Sequence, residues 1–592
     1  MANLTEVLSA VRESDQFSQL TEQISAGSGE IQAQVTGPLR APVIAAVFLA
    51  TGRGITAVTE GGGQAAQLAG DIAAYLGESK VRQLPDPEVL PFERLSTPPD
   101  VVAERARILD DARSGPPFVI VAQVKTLIRR TTPHKRYPAP FDITAGMEAD
   151  FDGLIEYLVG VGFRRVPVVE ARGEFSVRGG IVDLFPGDSD SPIRADFFGN
   201  EVDSIREFAV ESQESIGALD SVRVYPCREV VIEARDVGLG RSRLGPALDD
   251  EVSMDLAAFE SGKVFSGAEF YVPYVYETPE SVPEALPDDW PSFLCEPGDL
   301  RAGADAFLET ADDFMRGRLH FTGVNASLED YFDDFDSFRL RCRTMVSLTR
   351  NPAEDALFRL KHSPVPSFLG KIDSLEEYLR DGAKTGETTV VTARPGTVAR
   401  VKERVTKDLA GNDQGMRALA AARFVAGHLS EGHELPAFKL RVVTERDLFG
   451  RIVGLPPARR RRDVQSGLRL ADIKQGDFVV HRTHGIGRYH QMVQRDMGDG
   501  RKDYLELRYG GGDKLFIPLG QIGNVFKYQG AGGAPPLSRL GSAKWSRTKR
   551  RVKEALRELA ADLFKLYEHR RKAKGFAFSG DTHWQQELEQ TF

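Results

Sequence analysis

Apolar and polar positions change their pattern from block to block along the chain. Near the N-terminus, residues 54–60 have the composition of a buried strand, and three glycines and an apolar pattern at helical spacing follow them. Residues 117–124 form a second buried-strand pattern. Strands that alternate with helices favour a parallel sheet, so the N-terminal region is predicted to be α/β.

The glycine turn at 61–63 lies where a phosphate-binding loop would lie, between a strand and a helix N-terminus. Such a loop also needs a lysine on the phosphates and a hydroxyl on magnesium, but Gln64, Ala65 and Ala66 follow the glycines. No Gly-Lys-Ser/Thr triplet occurs in the chain, and Gly370-Lys371-Ile372 lacks the hydroxyl. The pattern favours a βα turn that holds no nucleotide.

The stretch GEFSVRGGIVDLFPG, residues 173–187, predicts two strands of a small sheet. Its first half alternates, its second half is nearly all apolar, and Arg178 stands next to a glycine turn on the polar face. Residues 195–198 alternate again before a turn at Gly199-Asn200. A β-rich block with one exposed polar face is therefore predicted at about 126–206.

The C-terminal part contains three further patterns. Residues 355–450 alternate strands and helices, and a Pro-Pro and four-arginine segment marks a boundary after them. From about 473 to 527 the pattern is all β, with Leu505, Leu507 and Tyr509 on one face, which predicts an SH3-like barrel. From about 543 to 574 one apolar stripe and otherwise basic faces predict a long helix.

Composition restricts the chemistry. The 592 residues carry a net charge of −10 and three widely spaced cysteines, which fits a reducing cytoplasm and no structural zinc. The apolar runs are too short to span a bilayer. His481 and His484 lack further ligands for a metal, and Asp333-Asp334 is predicted to be a solvated pair. With no catalytic triad pattern, these features favour a multidomain interaction protein over a self-contained enzyme.

Several long segments, in order, resemble one family. GEFSVRGGIVDLFP followed by RADFFGNEVDSIREF looks like domain 2 of the excision-repair protein UvrB, which docks on UvrA, and LPDPEVLPFERLSTPPDVVAERARIL resembles its first domain. GDFVVHRTHGIGRYHQM and DYLELRYGGGDKLFIPLGQIGNVFKY resemble the RNA-polymerase-interacting domain of CarD-type regulators and transcription-repair coupling factors. AKWSRTKRRVKEALRELAADLFKLY and GFAFSGDTHWQQELEQTF resemble the relay helix and the approach to the motor of the coupling factors.

The resemblance implies the N-terminal half of a transcription-repair coupling factor, with multidomain α/β and α+β architecture. The full-length family member is an ATP-driven double-stranded DNA translocase, for which ATP and magnesium serve the motor. No catalytic, cofactor or metal residue is assigned in this chain, which is expected not to be an enzyme itself. The implied domains are a UvrB-like domain 1a with a degenerate nucleotide site (1–125), a UvrA-binding domain 2 (126–206), domain 1b (207–340), a small α/β domain without assigned role (355–450), a basic linker (451–470), a polymerase-interacting SH3/Tudor-like domain (471–530), a relay helix (543–574) and the approach to the motor (575–592).

The resemblance also implies two binding surfaces. UvrA would be held by Arg164, Arg165, Glu174, Phe175 and Arg178, with Phe175 either an apolar anchor or a core residue. The β subunit of RNA polymerase would pair with an edge strand by β-augmentation, and the residues assigned to this contact are His481, Arg482, Thr483, His484, Gly485 and Ile486. Arg482 departs from the apolar residue of some relatives.

Three functions are compatible with the sequence. The first is a recruitment scaffold in the cytoplasm that binds RNA polymerase and UvrA without turnover, with double-stranded DNA bound mainly through the motor. The second is a weak NTP-binding enzyme that uses the glycine turn at 61–63. The third is a CarD-like transcription regulator without a role in repair, which leaves the block at 126–206 unexplained.

Overall fold

The protein is described here by a computed structural model. The described residues are 4–27, 29–92, 96–210, 212–232, 234–244, 250–260, 267–322, 326–351, 356–450, 475–481, 484–496, 501–518, 525–528 and 535–539. They belong to two compact units, drawn from Met1–Arg462 with Asp496–Arg501 and from Asp463–Arg495 with Lys502–Phe592.

The first unit is a mixed α/β structure. Its helices are α1 (Thr5–Arg12), α2 (Phe17–Ala26), α3 (Arg40–Thr51), α4 (Gly62–Leu76), α5 (Pro99–Ser114), α6 (Val124–Leu127), α7 (Phe151–Gly160), α8 (Ala234–Leu244), α9 (Asp250–Glu260), α10 (Val272–Val275), α11 (Val282–Ala285), α12 (Pro297–Thr322), α13 (Phe335–Arg341), α14 (Ile372–Thr385), α15 (Pro395–Leu409), α16 (Asp413–Ala421) and α17 (Glu445–Phe449). Its strands are β1 (Gly29–Gln34), β2 (Ile55–Thr59), β3 (Val81–Gln83), β4 (Val119–Gln123), β5 (Arg130–Thr131), β6 (Phe141–Thr144), β7 (Arg164–Arg165), β8 (Glu174–Arg178), β9 (Ile181–Leu184), β10 (Ile193–Phe198), β11 (Glu201–Phe208), β12 (Ser215–Leu219), β13 (Ser221–Val224), β14 (Glu280–Ser281), β15 (Ser292–Cys295), β16 (Thr344–Thr349), β17 (Phe358–Arg359), β18 (Thr388–Ala393), β19 (Ala422–Ala426), β20 (His433–Leu435) and β21 (Leu440–Thr444).

A seven-stranded sheet with the order β17-β1-β16-β15-β2-β4-β3 forms the base of this unit. All of its strand pairs are parallel. The central strands β2 and β4 are buried along their whole length, because apolar helices cover both faces. The two buried strands and the parallel sheet that the sequence predicts for this region are thus confirmed.

A smaller domain is inserted between β4 and β15 of that sheet. Its six strands have the order β12-β11-β10-β9-β8-β7, and β7 alone pairs in parallel, with β8. The chain enters through β6 and leaves through β13, which pair with each other and form a two-stranded neck. The domain has its own apolar core, in which α7 packs against the sheet. The sheet extends to Leu219, beyond the predicted block end at residue 206.

Residues 356–450 contain a four-stranded sheet with the order β19-β18-β21-β20. One face packs on its own helices, and Val390, Val425 and Val442 join the apolar core that surrounds α1, α3 and α4. Ser430 also donates hydrogen bonds to Asp71 on α4 from both its backbone nitrogen and its hydroxyl. This region is therefore packed onto the N-terminal α/β structure through a common core.

The second unit contains a five-stranded sheet with the order β25-β24-β23-β22-β26. Its strands are β22 (Phe478–His481), β23 (Gly485–Asp496), β24 (Arg501–Arg508), β25 (Lys514–Pro518) and β26 (Val525–Lys527). Leu505, Leu507 and Tyr509 are buried in one core, as the alternation predicts. Closure into an SH3-like barrel stays a prediction. The basic linker at 451–470, the relay helix at 543–574 and residues 575–592 lie outside the described residues.

The expectation that the Asp333-Asp334 pair is solvated holds for the exposed Asp334 but is wrong for Asp333. Asp333 is not solvated: its side chain is fully buried between the guanidinium groups of Arg130 and Arg341. Asp334 instead caps α13, accepting a hydrogen bond from the backbone nitrogen of Ser337 at 2.7 Å. The sequence shows only two adjacent acidic residues. It does not show that Arg130 of β5 and Arg341 of α13 bury the first of them.

Candidate interaction surfaces

The sheet of the inserted domain has one apolar and one polar face, because neighbouring residues of a strand point to opposite sides. Phe175, Leu184 and Ile193 stand side by side on three adjacent strands and face the core. Ser176, Asp183 and Arg194 form the next row and face the other way. We call this second side the outer face; its charged and polar members are Arg164, Glu174, Ser176, Arg178, Asp183, Arg194, Asp196, Ser204 and Arg206.

Asp183 is the centre of the outer face, and its side chain has no exposed surface. It accepts a hydrogen bond from Arg178 and two from Arg194, the shorter of these at 2.6 Å to Nε. The hydrogen bond to Asp183 is the main reason why the pKa of Arg194 is raised. Arg194 also lies over the ring of Phe208, with 4.8 Å between Cζ and the ring centroid. The buried carboxylate therefore holds two guanidinium groups in defined positions.

Two further ion pairs lie on the outer face, one on either side of Asp183. Asp196 pairs with Arg206 and accepts a hydrogen bond from Ser204 at 3.1 Å. At the opposite margin Glu174 pairs with Arg164, and its other oxygen accepts hydrogen bonds from the backbone nitrogens of residues 170 and 171, both at 2.9 Å. Arg164 and Arg178 are the more exposed partners in their pairs, with side-chain exposures of 69% and 52%. Together with Arg206, whose side chain is 41% exposed, they are the cations that the outer face presents to solvent.

The residues that the sequence assigns to UvrA binding are not all on this face. Glu174 is on it but buried, and it organises the 170–171 loop. Phe175 has 0% exposure and belongs to the core, as the alternative interpretation holds. Arg165 is exposed but pairs in register with Phe175, so it lies on the pleat opposite to Arg164. Only Arg164 and Arg178 are therefore both exposed and on the outer face.

Sequence reasoning did not assign Asp183, Arg194, Asp196, Arg206 or the neighbouring Phe198 to the surface. Phe198 is 84% exposed at the end of β10. The signal for it is present in RADFFG, where strict alternation puts Phe198 on the same side as Asp196 and Phe197 in the core.

Of the residues assigned to the polymerase contact, His481 ends β22, and Gly485 and Ile486 begin β23. The rings of His481 and His484 lie 4.6 Å apart, and the backbone nitrogen of His484 donates to Nδ1 of His481 at 3.2 Å. Gly485 has a φ of +81°, a conformation that glycine adopts readily, and it pairs with His481 where the antiparallel strands β22 and β23 begin their ladder. Arg482 and Thr483 lie outside the described residues.

The strand that precedes these residues is not at the edge of the sheet. β22 is paired on both sides, with β23 and with β26. The backbone of Ile486 exchanges hydrogen bonds with Ser538, whose hydroxyl accepts at 3.0 Å and whose nitrogen donates at 2.8 Å. Among the strands that the structure describes in this unit, β25 and β26 are the outermost, and β25 is the longer.

Next to β25, Glu506 on β24 is buried although its neighbours Leu505 and Leu507 point to the core. Burial tends to raise its pKa, but the hydrogen bond from Gln491 and the positive charge of Lys514 outweigh burial and the pKa is lowered. Lys514 Nζ lies 3.6 Å from Glu506. The outer side of β25 thus carries a lysine whose position is set by a buried carboxylate.

The glycine turn after β2 lies at the carboxyl end of the large sheet, where α/β proteins bind nucleotides. Glu60 occupies this position: it accepts a hydrogen bond from Gln64, and a Cβ on Gly303 of α12 would lie 2.9 Å from its Cγ. Glu296, after β15, is held by Arg40 and accepts from the backbone nitrogen of Arg350 at 3.0 Å. A carboxylate therefore follows each of these two neighbouring strands, and the one on Glu296 is paired with the guanidinium groups of Arg40 and Arg350.

Within the described ranges, no group of three or more His, Cys, Asp or Glu side chains is placed to hold a metal ion. None of the helices in the described part of the chain has the length and apolar character needed to cross a bilayer.

Two family models match the chain. Residues 141–229 match the UvrB interaction domain, which covers the six-stranded sheet and its neck. Residues 473–529 match the CarD-like/TRCF RID domain, which covers the five-stranded sheet.

Curated relatives match almost the whole chain. A transcription-repair-coupling factor of Mycobacterium tuberculosis is 32% identical over 630 residues, which cover 97% of this chain and 50% of the relative. Those of Bacillus subtilis and Staphylococcus aureus are 28% and 26% identical and match 98% and 100% of this chain, or 52% and 53% of their own length. The resemblance to transcription-repair-coupling factors is thus confirmed: the chain is similar to them along nearly its whole length and spans about half the length of the relatives it matches.

Proposed function

We propose that this chain is the N-terminal recruitment half of a transcription-repair coupling factor, which binds RNA polymerase with one domain and UvrA with another. The observation that carries the proposal is the outer face of the inserted domain, where buried carboxylates position exposed arginines. A guanidinium fixed in this way loses little conformational entropy when it binds a partner's carboxylate. The match to the UvrB interaction domain supports UvrA as that partner.

The contact with UvrA is centred on Arg164 and Arg178. Both are more than half exposed, and each is anchored by a carboxylate that has almost no exposed surface. Arg165 has the same charge and is one residue away, but it lies on the other pleat. It therefore provides a matched control for any substitution of Arg164.

The test is the binding of the purified chain to UvrA without nucleotide, by calorimetry or surface-immobilised UvrA. Arg164→Ala combined with Arg178→Ala should weaken binding at least about tenfold, since exposed interface arginines are frequent hot spots. Arg165→Ala should bind as the parent does. Equal affinity of the parent and the double variant would contradict the docking face, and no binding by the parent would contradict the repair role.

The polymerase contact is proposed at the edge of β25 rather than at residues 481–486. β22 is already paired on both sides, whereas β25 is outermost among the described strands of its sheet. A strand of the polymerase β subunit would extend the sheet there by β-augmentation. Phe516 lies on β25 with its neighbours Leu515 and Ile517 in the core, so it belongs to the outer side.

Binding of the chain to RNA polymerase tests this second contact. Phe516→Asp should lower the affinity, because it places a negative charge on the strand that receives the partner. Met492→Asp, at a 44% exposed position on β23, is the matched control. A larger effect at Met492 than at Phe516 would put the contact elsewhere on the domain.

The remaining functions are proposals for the full-length protein. By its resemblance it is a double-stranded DNA translocase of the bacterial cytoplasm whose motor uses ATP and magnesium. This half is proposed to have no turnover of its own, because Gln64, Ala65 and Ala66 follow the glycine turn in place of a phosphate-binding lysine and a magnesium-binding hydroxyl. A CarD-like regulator without a repair role is disfavoured by the match at 141–229, and the UvrA experiment separates the two.

A further inference from the structure

Helix α15, in the domain of residues 356–450, carries a stripe of cations on its exposed face. The apolar residues of this helix face the core of the domain. Arg400, Arg404 and Lys407 are separated by steps of four and three residues, so they lie on one face of the helix, and all three are exposed. At a rise of 1.5 Å per residue the stripe is about 10 Å long.

Two of the three cations have no acidic partner. In the described part of the chain neither Arg400 nor Lys407 forms an ion pair with a carboxylate. Arg404 pairs with Asp408 at 2.6 Å, but 60% of its side chain stays exposed. Exposed arginines on other helices, such as Arg316, are paired with a carboxylate. The stripe is therefore a surface whose positive charge is not neutralised by its own chain.

The following helix α16 adds a further cation. A Cβ at Gly415 would lie 1.9 Å from the backbone oxygen of Leu409, so the first turn of α16 is pressed against the last turn of α15. Arg417 of α16 is exposed and has no ion-pair partner among the described residues. The two helices thus present unpaired cations side by side.

The charge of this segment is opposite in sign to that of the whole chain. Residues 394–421 contain six arginines and lysines but three acidic residues, whereas the chain has a net charge of −10. Asp408 is paired, and Asp413 is in the first turn of α16, where a carboxylate offsets the helix dipole. Glu403 is exposed on the face of the stripe, three residues after Arg400. It is the acidic side chain that an anionic partner of the stripe meets.

A polyanion with regularly spaced charges matches such a surface. Each strand of duplex DNA carries about three phosphates over 10 Å of the helix axis, which is the length of the stripe. No aromatic residue occurs from 394 to 421, so this segment has no ring on which the bases of a single strand could stack. The surface therefore favours the backbone of duplex DNA over a single strand.

We propose that the stripe of Arg400, Arg404 and Lys407, together with Arg417 on the adjoining helix, binds the phosphate backbone of duplex DNA. The contact is independent of base sequence, because phosphates carry no sequence information. It gives the domain of residues 356–450 a function that does not depend on the binding of UvrA or RNA polymerase.

The test is the affinity of the full chain for a short fluorescein-labelled DNA duplex, measured by anisotropy at several salt concentrations. The test variant is Arg400→Gln with Lys407→Gln. The control is Lys361→Gln with Lys439→Gln, which removes the same charge from two exposed lysines near β20. β20 is at the opposite edge of its sheet from β19, against which α15 packs. Thermal melts of the three proteins should coincide, because all four side chains are exposed.

The test variant should lower the slope of log affinity against log salt concentration by about 2, because each lost phosphate contact removes about 0.9. The control should keep the slope of the parent, since the other basic segments, such as the four arginines at 459–462, are present in all three proteins. Glu403→Gln should raise the affinity, because it removes the carboxylate from the stripe.

Equal slopes for the test variant and the control would refute the contact at α15, as would a parent chain that does not bind the duplex. Poly-glutamate, added as a competitor, distinguishes DNA from an acidic protein. If it displaces the duplex as well as unlabelled DNA of equal charge does, the stripe binds acidic polymers in general and its assignment to DNA is wrong.

Discussion

Arg178 and Arg194 donate hydrogen bonds to one carboxylate, that of Asp183, whose side chain is completely buried. The two arginines are not equivalent: Arg178 is half exposed, whereas the side chain of Arg194 is 17% exposed and binds Asp183 through two nitrogens. Arg194 and Asp183 thus form the structural pair, and Arg178 is the member available to a partner.

Stability should therefore respond unequally to substitution in this group. Asp183→Asn should lower the free energy of unfolding by about 3 kcal/mol, because two guanidinium groups lose a buried negative charge. Arg178→Ala should cost less than about 1 kcal/mol, since Arg194 still neutralises Asp183. Urea unfolding followed by circular dichroism measures both values, and similar losses for the two variants would contradict the division of roles.

Asp71 should make stability depend on pH where residues 356–450 meet α4. Burial, with a smaller contribution from Glu431, raises its pKa to about 6 against the opposing hydrogen bonds from Ser430. The folded chain therefore binds this proton more tightly than the unfolded chain, and the free energy of unfolding falls as the pH rises from about 4 to about 6.

Asp71→Asn removes this titration. The free energy of unfolding of the variant, relative to the parent, should rise by up to about 3 kcal/mol between pH 4 and pH 7 and stay constant above that. Urea titrations at several pH values measure the difference, with the exposed Glu403→Gln as a surface control. A difference that does not change with pH would contradict the raised pKa.

His433 should make the free energy of unfolding depend on pH in the opposite direction to Asp71. It is 0% exposed, and burial together with the charge of His362 lowers its pKa to about 3 against an opposing hydrogen bond with the backbone of Glu431. The unfolded chain then binds a proton that the folded chain does not, so stability is lost as the pH falls from about 6.5 towards 3.

His433→Met should remove that loss. The free energy of unfolding of the variant should be larger than that of the parent by about 3 kcal/mol at pH 4, and by less at pH 7. Chemical unfolding of the two proteins at both pH values is sufficient. An excess that is larger at pH 7 than at pH 4 would mean that the imidazole is protonated in the folded chain.

The glycine turn after β2 is expected not to hold ATP. Glu60 lies against α12 beside the turn, and Gln64, Ala65 and Ala66 supply neither the lysine nor the hydroxyl that a bound triphosphate and its magnesium need. Equilibrium dialysis with labelled ATP and magnesium should show no saturable binding up to millimolar concentration. Saturable binding below that range would support the alternative of a nucleotide-using enzyme.

The alternation of apolar and polar residues predicted the strands of the inserted domain well. The alternation in 173–187 and 195–198 places β8, β9 and β10 within a residue or two, because side chains of a half-buried sheet must alternate. The same rule applied to RADFFG would have found Phe198. The exposed position of Arg178 also follows from alternation alone.

Contacts between distant segments could not be predicted in this way. Arg164 and Arg165 look equivalent in sequence, and only the register of β7 against β8 separates their faces. β22 has a strand-like pattern whether or not it is an edge, and its second neighbour β26 comes more than 40 residues later. The apolar pattern of 356–450 indicated burial but not that its core is common with α1, α3 and α4.

The neck of the inserted domain has a consequence for how such chains can vary. Phe141 and Val224, the outer ends of β6 and β13, stand opposite each other, and the residues between them carry a core of their own. A domain whose first and last strands pair with each other can be replaced as a unit without changing the connections of the parallel sheet. The binding preference of the inserted domain and the fold of the parallel sheet can then evolve independently. Exchanging residues 141–224 between homologues should transfer the binding preference and leave the fold of the rest of the chain unchanged.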